Sequence, residues 1–122
     1  MWRVKHFDVS VDDPQRAMDF YSNVFGWKFR KWDGPFDYWL IMTGDEKEPG
    51  IDGGIAKRQD PSAQIMNFID VPSVEDVSIS VTRNGGKIIQ EKQTIPMVGY
   101  IVIIQDTEGN MYGLMQEDLN AK

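Results

Sequence analysis

Residues 73–85 read SVEDVSISVTRNG, and the fold turns on whether they form a strand or a helix. Taken alone, VSISV (77–81) alternates apolar with polar, the period-two signature of a half-buried strand. Other features favour a helix: Ser73 is a good N-cap, Val77 and Val81 are four apart, and glycines follow at 85 and 86. Local periodicity and local capping therefore disagree, and the rest of the chain decides between them.

Sixty residues earlier the helix is unambiguous. In FDVSVDDPQRAMDFYSNVFG (7–26), Phe7, Val9 and Val11 alternate with polar residues as one strand. Asp12 or Asp13 can then cap a helix, Pro14 fits its first turn, and Gly26 can end it. Ala17, Met18, Tyr21, Val24 and Phe25 recur at helical spacing between those signals. WKFRKW (27–32) reads as a strand, Gly34-Pro35 as a turn, YWLIMT (38–43) as a strand, and GDEKEPG as a loop leading into GIDGGIAK.

Shifting by sixty places NFIDV (67–71) on FDVSV (7–11), GKIIQEK on GWKFRKW and Gly86 on Gly26. GYIVIIQ (99–105) then matches YWLIMT, and GLMQ (113–116) lies on GIAK (54–57) at an offset of 59. Val77 and Val81 take the places of Ala17 and Tyr21, so residues 73–85 are predicted to be helical. The chain reads as one domain, 1–122, of two strand–helix–strand–strand–strand modules, about 3–58 and 64–117. The class is α+β, with a helix on one face of each small sheet. The other face, carrying His6, Asp8 and Ser10, is expected to line a shared cleft.

Composition narrows the function. Nineteen acidic against thirteen basic residues give a formal charge of −6, with no basic stripe, which argues against nucleic acid or a membrane surface as partner. Without cysteine there is no disulfide, thiolate nucleophile or Cys-ligated metal. The N-terminus MWRVKHFDVSV lacks the apolar run of a signal peptide, so a soluble cytoplasmic protein is expected. A divalent transition metal needs three or four N, O or S donors, and the single histidine has no partner histidine. An all-oxygen site from Asp8, Asp70 or Glu108 remains open, although DTEG (106–109) is better explained as an exposed acidic turn.

The stretches HFDVSVDDPQRAMDFYSNVFGWKF (6–29), DYWLIMTG (37–44), PGIDGGI (49–55) and DTEGNMYGLMQ (106–116) together resemble the vicinal oxygen chelate superfamily of glyoxalase I, bleomycin-resistance proteins and extradiol dioxygenases. The resemblance implies paired βαβββ modules in a half-open, eight-stranded, barrel-like sheet with the helices outside, a concave ligand site and a homodimer. It also implies four metal-ligand positions, which fall here on His6, Met66, Gly54 and Gly113; a one-residue change of register would put Asn67 opposite His6. Only the first of the four is a metal ligand. At the last, a pattern like DPDGNxxELxQ has become DTEGNMYGLMQ, with glycine in place of the carboxylate.

His6 is the natural general acid or base if there is catalysis, since its unperturbed pKa lies nearest neutrality. A histidine merely held by hydrogen bonds is the preferred reading, because no nucleophile or second base is placed beside it by sequence. Asp8 shares its face. Tyr38, Trp39 and Tyr100 are candidates to stack on a ligand, with core packing as their alternative, and Met66 adds a flexible thioether. The paired glycines at 54 and 113 suggest tight packing where the modules meet. The expected function is binding of a small, partly apolar or aromatic ligand at a degenerate metal site built from His6, Asp8, Tyr38, Trp39, Met66 and Tyr100, without metal or other cofactor. The alternatives are a metal-dependent lyase, isomerase or dioxygenase, and a purely structural interaction module.

Overall fold

The computed structural model describes residues 1–122. Its elements run β1 (Val4–Val11), α1 (Pro14–Phe25), β2 (Lys28–Lys31), β3 (Tyr38–Met42), β4 (Asp52–Lys57), β5 (Met66–Asp70), α2 (Val74–Arg83), β6 (Lys87–Ile95), β7 (Gly99–Gln105) and β8 (Met111–Glu117). This is α+β with the βαβββ order twice over. The chain divides into two compact units, residues 6–65 and residues 66–122 together with 1–5. No helix is long and apolar enough to cross a membrane.

In the first unit the strand order is β2-β3-β4-β1, with β1 and β4 parallel and β2, β3 and β4 antiparallel. Asp13 accepts a hydrogen bond from the Arg16 N–H at 3.1 Å to cap α1, and Gly26 closes it in the left-handed conformation at φ 72°. The helix lies over Val9, Val11, Ile41 and Ile55, with Phe7, Ala17, Met18, Tyr21, Trp27, Phe29 and Trp39 packed around them. Odd-numbered residues of β1 thus face the helix and even-numbered ones face away, as a strand's alternation requires.

The second unit repeats this in the order β5-β8-β7-β6. Residues 73–85 are helical: α2 is capped by Ser73 Oγ accepting from the Asp76 N–H at 3.2 Å. The alternation in VSISV places Val77 and Val81 one turn apart against Val71, Val74, Val102, Ile104 and Leu114, while Ile79 is exposed. Ser78 Oγ donates back to the Val74 carbonyl at 2.6 Å and Thr82 Oγ1 to the Ser78 carbonyl at 3.2 Å, which satisfies these hydroxyls within the helix. The left-handed glycine after α2 is Gly85, one position before the Gly86 expected from the repeat. A second cap comes from outside the helix: the Val74 N–H donates to Gln116 Oε1 at 3.1 Å. Val74 is fully buried, so water cannot take that role.

The N-terminal residues are tied to the second unit. Trp2 N–H donates to the Asp70 carbonyl and Asp70 N–H to the Arg3 carbonyl, at 2.6 and 2.9 Å, and Lys5 Nζ lies 3.7 Å from Asp70 Oδ2.

Candidate functional site around His6, Asp8 and Tyr38

The face of the first unit turned away from α1 carries His6, Asp8 and Ser10 on β1, Gly54 and Ala56 on β4, and Tyr38 and Leu40 on β3. Asp8 pairs with Gly54 across β1 and β4, and Leu40 with Gly54 across β3 and β4. Gly54 has no side chain, and the Tyr38 phenol fills its space: a Cβ on Gly54 would stand 1.7 Å from Tyr38 Oη. Gly54 has no left-handed φ, so its requirement is for space and not for backbone freedom.

Over that glycine three groups converge. Tyr38 O–H donates to Asp8 Oδ1 at 2.5 Å, while His6 Nε2 lies 2.8 Å from the same oxygen and 2.6 Å from Tyr38 Oη. With the phenol O–H directed at Asp8, both contacts of Nε2 are to oxygen acceptors, so Nε2 carries a proton and donates. Burial, then the Asp8 charge and then the hydrogen bond to Asp8, push the Tyr38 pKa far above its ordinary value of 10. Tyr38 is therefore a fixed neutral donor at physiological pH. The side chains of His6 and Asp8 remain 28% and 24% exposed, so the cluster is reachable from solvent.

Aromatic rings continue from this cluster. The His6 and Tyr38 rings stack at 6.3 Å between centroids, Trp32 meets Tyr38 edge-on at 6.0 Å, and Phe36 stacks on Trp32 at 6.1 Å. Trp32 is folded back on its loop, in the space that a Cβ on Gly34 would need. Sequence reasoning missed Trp32 and Phe36, whose ring contacts depend on the conformation of the 32–37 turn.

The other sequence candidates lie elsewhere. Trp39 follows Tyr38 on the same strand, so alternation sends it to the opposite face, where it packs on the α1-side core with Lys31 Nζ 4.9 Å from its ring centre. Tyr100 likewise packs on the α2-side core, its hydroxyl 3.3 Å from Asp118 Oδ2 and Lys92 Nζ 4.6 Å from its ring centre. Met66 stands on β5 of the second unit, two positions before Phe68 and on the face away from α2. Within the first unit the structure thus brings His6, Asp8 and Tyr38 together and puts Trp39 on the opposite face, while Met66 and Tyr100 belong to the second unit.

The register of the two modules can now be compared. Val9 pairs with Ile55 in the first, and Ile69 with Leu114 in the second, all four facing their helices. Asp8–Gly54 is therefore equivalent to Phe68–Gly113, and His6 to Met66, while Asn67 faces the other way. Gly113 is covered by Phe68, whose ring atoms would lie 2.3 Å from a Cβ placed there. At each glycine the nearest side chain is an aromatic ring of its own module, Tyr38 over Gly54 and Phe68 over Gly113.

These positions do not fit a divalent metal. Of the four, only His6 supplies a nitrogen, Met66 offers a soft thioether, and the two glycines offer nothing where Tyr38 and Phe68 now lie. Nowhere in the molecule do three His, Asp or Glu side chains gather as a metal site. Asp70 is next to Lys5, and Glu108 sits in a turn organised by Asp106, whose carboxylate accepts from the N–H groups of Glu108 and Asn110. A shallow depression of about 160 Å³ lies at the 43–52 loop, lined by Thr43, Asp45, Glu46, Glu48 and Asp52 among others.

Residues 3–114 match the model of the glyoxalase/bleomycin resistance protein/dioxygenase superfamily. The chain belongs to this superfamily. A glyoxylase-like domain-containing protein of Didymella fabae is 26% identical over 117 residues, covering 92% of this chain and 91% of that protein. Among solved structures, methylmalonyl-CoA epimerase from Mycobacterium tuberculosis superposes with a TM-score of 0.69 at 14% identity, over 93% of this chain and 87% of the epimerase. A superfamily member from Vibrio splendidus 12B01 gives 0.67 at 14% identity, over 96% and 100%. At such identities the likeness is one of fold.

Proposed function

We propose that this superfamily member binds a small, partly apolar or aromatic molecule on the face of His6, Asp8 and Tyr38, without the metal chemistry of metal-dependent relatives. The observation that carries the reading is the Tyr38 phenol seated over Gly54 and hydrogen-bonded to Asp8. Where the resemblance places a ligating carboxylate, this chain has a neutral aromatic donor packed in its stead. His6 in this reading is a positioning group, because its Nε2 is directed to Asp8 and Tyr38.

Metal analysis of the untagged protein tests the proposal. Substoichiometric zinc, nickel, manganese and iron are expected, unchanged by His6→Ala. One equivalent of any of these, lost in His6→Ala, would overturn it in favour of a metal-dependent lyase, isomerase or dioxygenase. A homodimer is proposed on the resemblance alone, and light scattering showing a monomer at micromolar concentration would refute it.

A further inference from the structure

The hydrogen-bond directions at Asp8 restrict what can bind beside it. Both donors of the cluster, Tyr38 O–H and His6 Nε2–H, converge on one oxygen, Asp8 Oδ1. The second oxygen, Oδ2, accepts no hydrogen bond, although the side chain is only 24% exposed. The carboxylate therefore presents an acceptor and no donor to a ligand.

No lysine or arginine neutralises it. Arg58, just past β4, is committed to the Ser10 and Ala63 carbonyls and to Asp12 Oδ1; the other cationic side chains on this face of the unit are Lys28 and Arg30, both on β2. With strand order β2-β3-β4-β1 they stand three strands from Asp8, or about 14 Å at the usual strand spacing. That exceeds the screening length of about 8 Å at physiological ionic strength. Asp52, the β4 partner of His6, adds a second carboxylate nearby, and it is engaged only with Thr43. Tyr38 touches the carboxylate, Trp32 lies edge-on to Tyr38, and Phe36, 48% exposed, stacks on Trp32. An anionic acceptor bordered by aromatic surface suits a cation, which gains from both the charge and the ring faces.

From this we infer that the site selects organic cations: small molecules carrying a protonated amine or a similar N–H donor on a flat or apolar body, with the ammonium on Asp8 Oδ2 and the body against Tyr38 and Trp32. The inference rests on the reading of this face as a ligand site, and it gives that site its charge preference.

The chain's single histidine provides the probe. The His6 ring proton signals are followed by NMR at fixed neutral pH during titration with benzylamine, benzyl alcohol and benzoate, which share a ring and differ in charge. Benzylamine is expected to shift His6 saturably, at least about tenfold tighter than benzyl alcohol, a difference of about 1.4 kcal/mol. Benzoate is expected to leave His6 unmoved. Asp8→Asn, checked for a native-like dispersed spectrum, should remove the advantage of the amine over benzyl alcohol. Equal or tighter binding of benzyl alcohol or benzoate in the wild type overturns the charge preference while the ligand site stands. Unaltered benzylamine affinity in folded Asp8→Asn overturns the role of Asp8. His6 signals that none of the three compounds moves at millimolar concentration overturn the ligand-site reading and this inference with it.

Discussion

Gly113→Ala is expected to destabilise the protein because of one ring. A Cβ at position 113 would lie 2.3 Å from Cδ2 and Cε2 of Phe68 and 2.8 Å from its Cζ, against 3.4 Å or more in ordinary contact. The ring would have to retreat by about 1 Å, and Phe68 is 95% buried, with 5% of its surface exposed, so it has little room. Overpacking of this kind costs about 1–3 kcal/mol. In the opposite direction, alanine loses less backbone entropy than glycine on folding, a gain of about 0.5–1 kcal/mol. The steric term is larger, so a net loss of about 1–2 kcal/mol is expected. Removing the ring should reverse the sign. Phe68→Ala by itself costs about 3–5 kcal/mol, and in that background a methyl group at 113 meets no ring and should be neutral or slightly stabilising. The assay is urea unfolding of the wild type, both single variants and the double variant, compared at unchanged m-value. The expected coupling between the two sites is about 1–3 kcal/mol. A Gly113→Ala penalty of equal size with and without Phe68 would refute the steric account, and stabilisation in the wild-type background would do so outright.

Two further consequences concern single groups. The Tyr38 pKa is raised in the folded state, so above the ordinary value of 10 the native protein binds more protons than the unfolded chain. Stability should therefore be fully present below pH 10 and decline as pH rises beyond it; Tyr38→Phe should show a shallower decline in denaturant titrations across that range, and an unchanged slope would contradict the assigned burial. Gln116→Met removes the acceptor for the buried Val74 N–H while keeping the side chain's length, and is expected to cost about 1–3 kcal/mol. Retention of full stability in thermal unfolding would show that the first turn of α2 finds another partner.

Much of this arrangement was legible in the residues. The offset of sixty turned VSISV from a strand pattern into a helix, because a segment flanked by the same strands as DDPQRAMDFYSNVFG has the same sheet face to cover. The same comparison aligned Gly54 with Gly113, and the observed pairing of Asp8 with Gly54 and of Phe68 with Gly113 agrees. Sequence also placed His6 and Asp8 on one face, since residues two apart on a strand must share it.

Other features depended on the tertiary structure. Tyr38 and Trp39 looked equivalent as candidates, and strand alternation shows that they cannot share a face, but which of them faces the helix depends on how β3 pairs with β4. Gln116 ended a family-like stretch with no evident role, and only the packing of β8 beneath α2 made it a cap. Gly113 shows the division most clearly. Its sequence position announced that a carboxylate was missing, whereas only the folded chain shows the space occupied, by Phe68 there and by Tyr38 over Gly54. Periodicity and repetition are properties of the chain, so the order of elements could be read along it; what fills the space over a glycine comes from a different strand, and side chains from different strands meet only when the sheet forms.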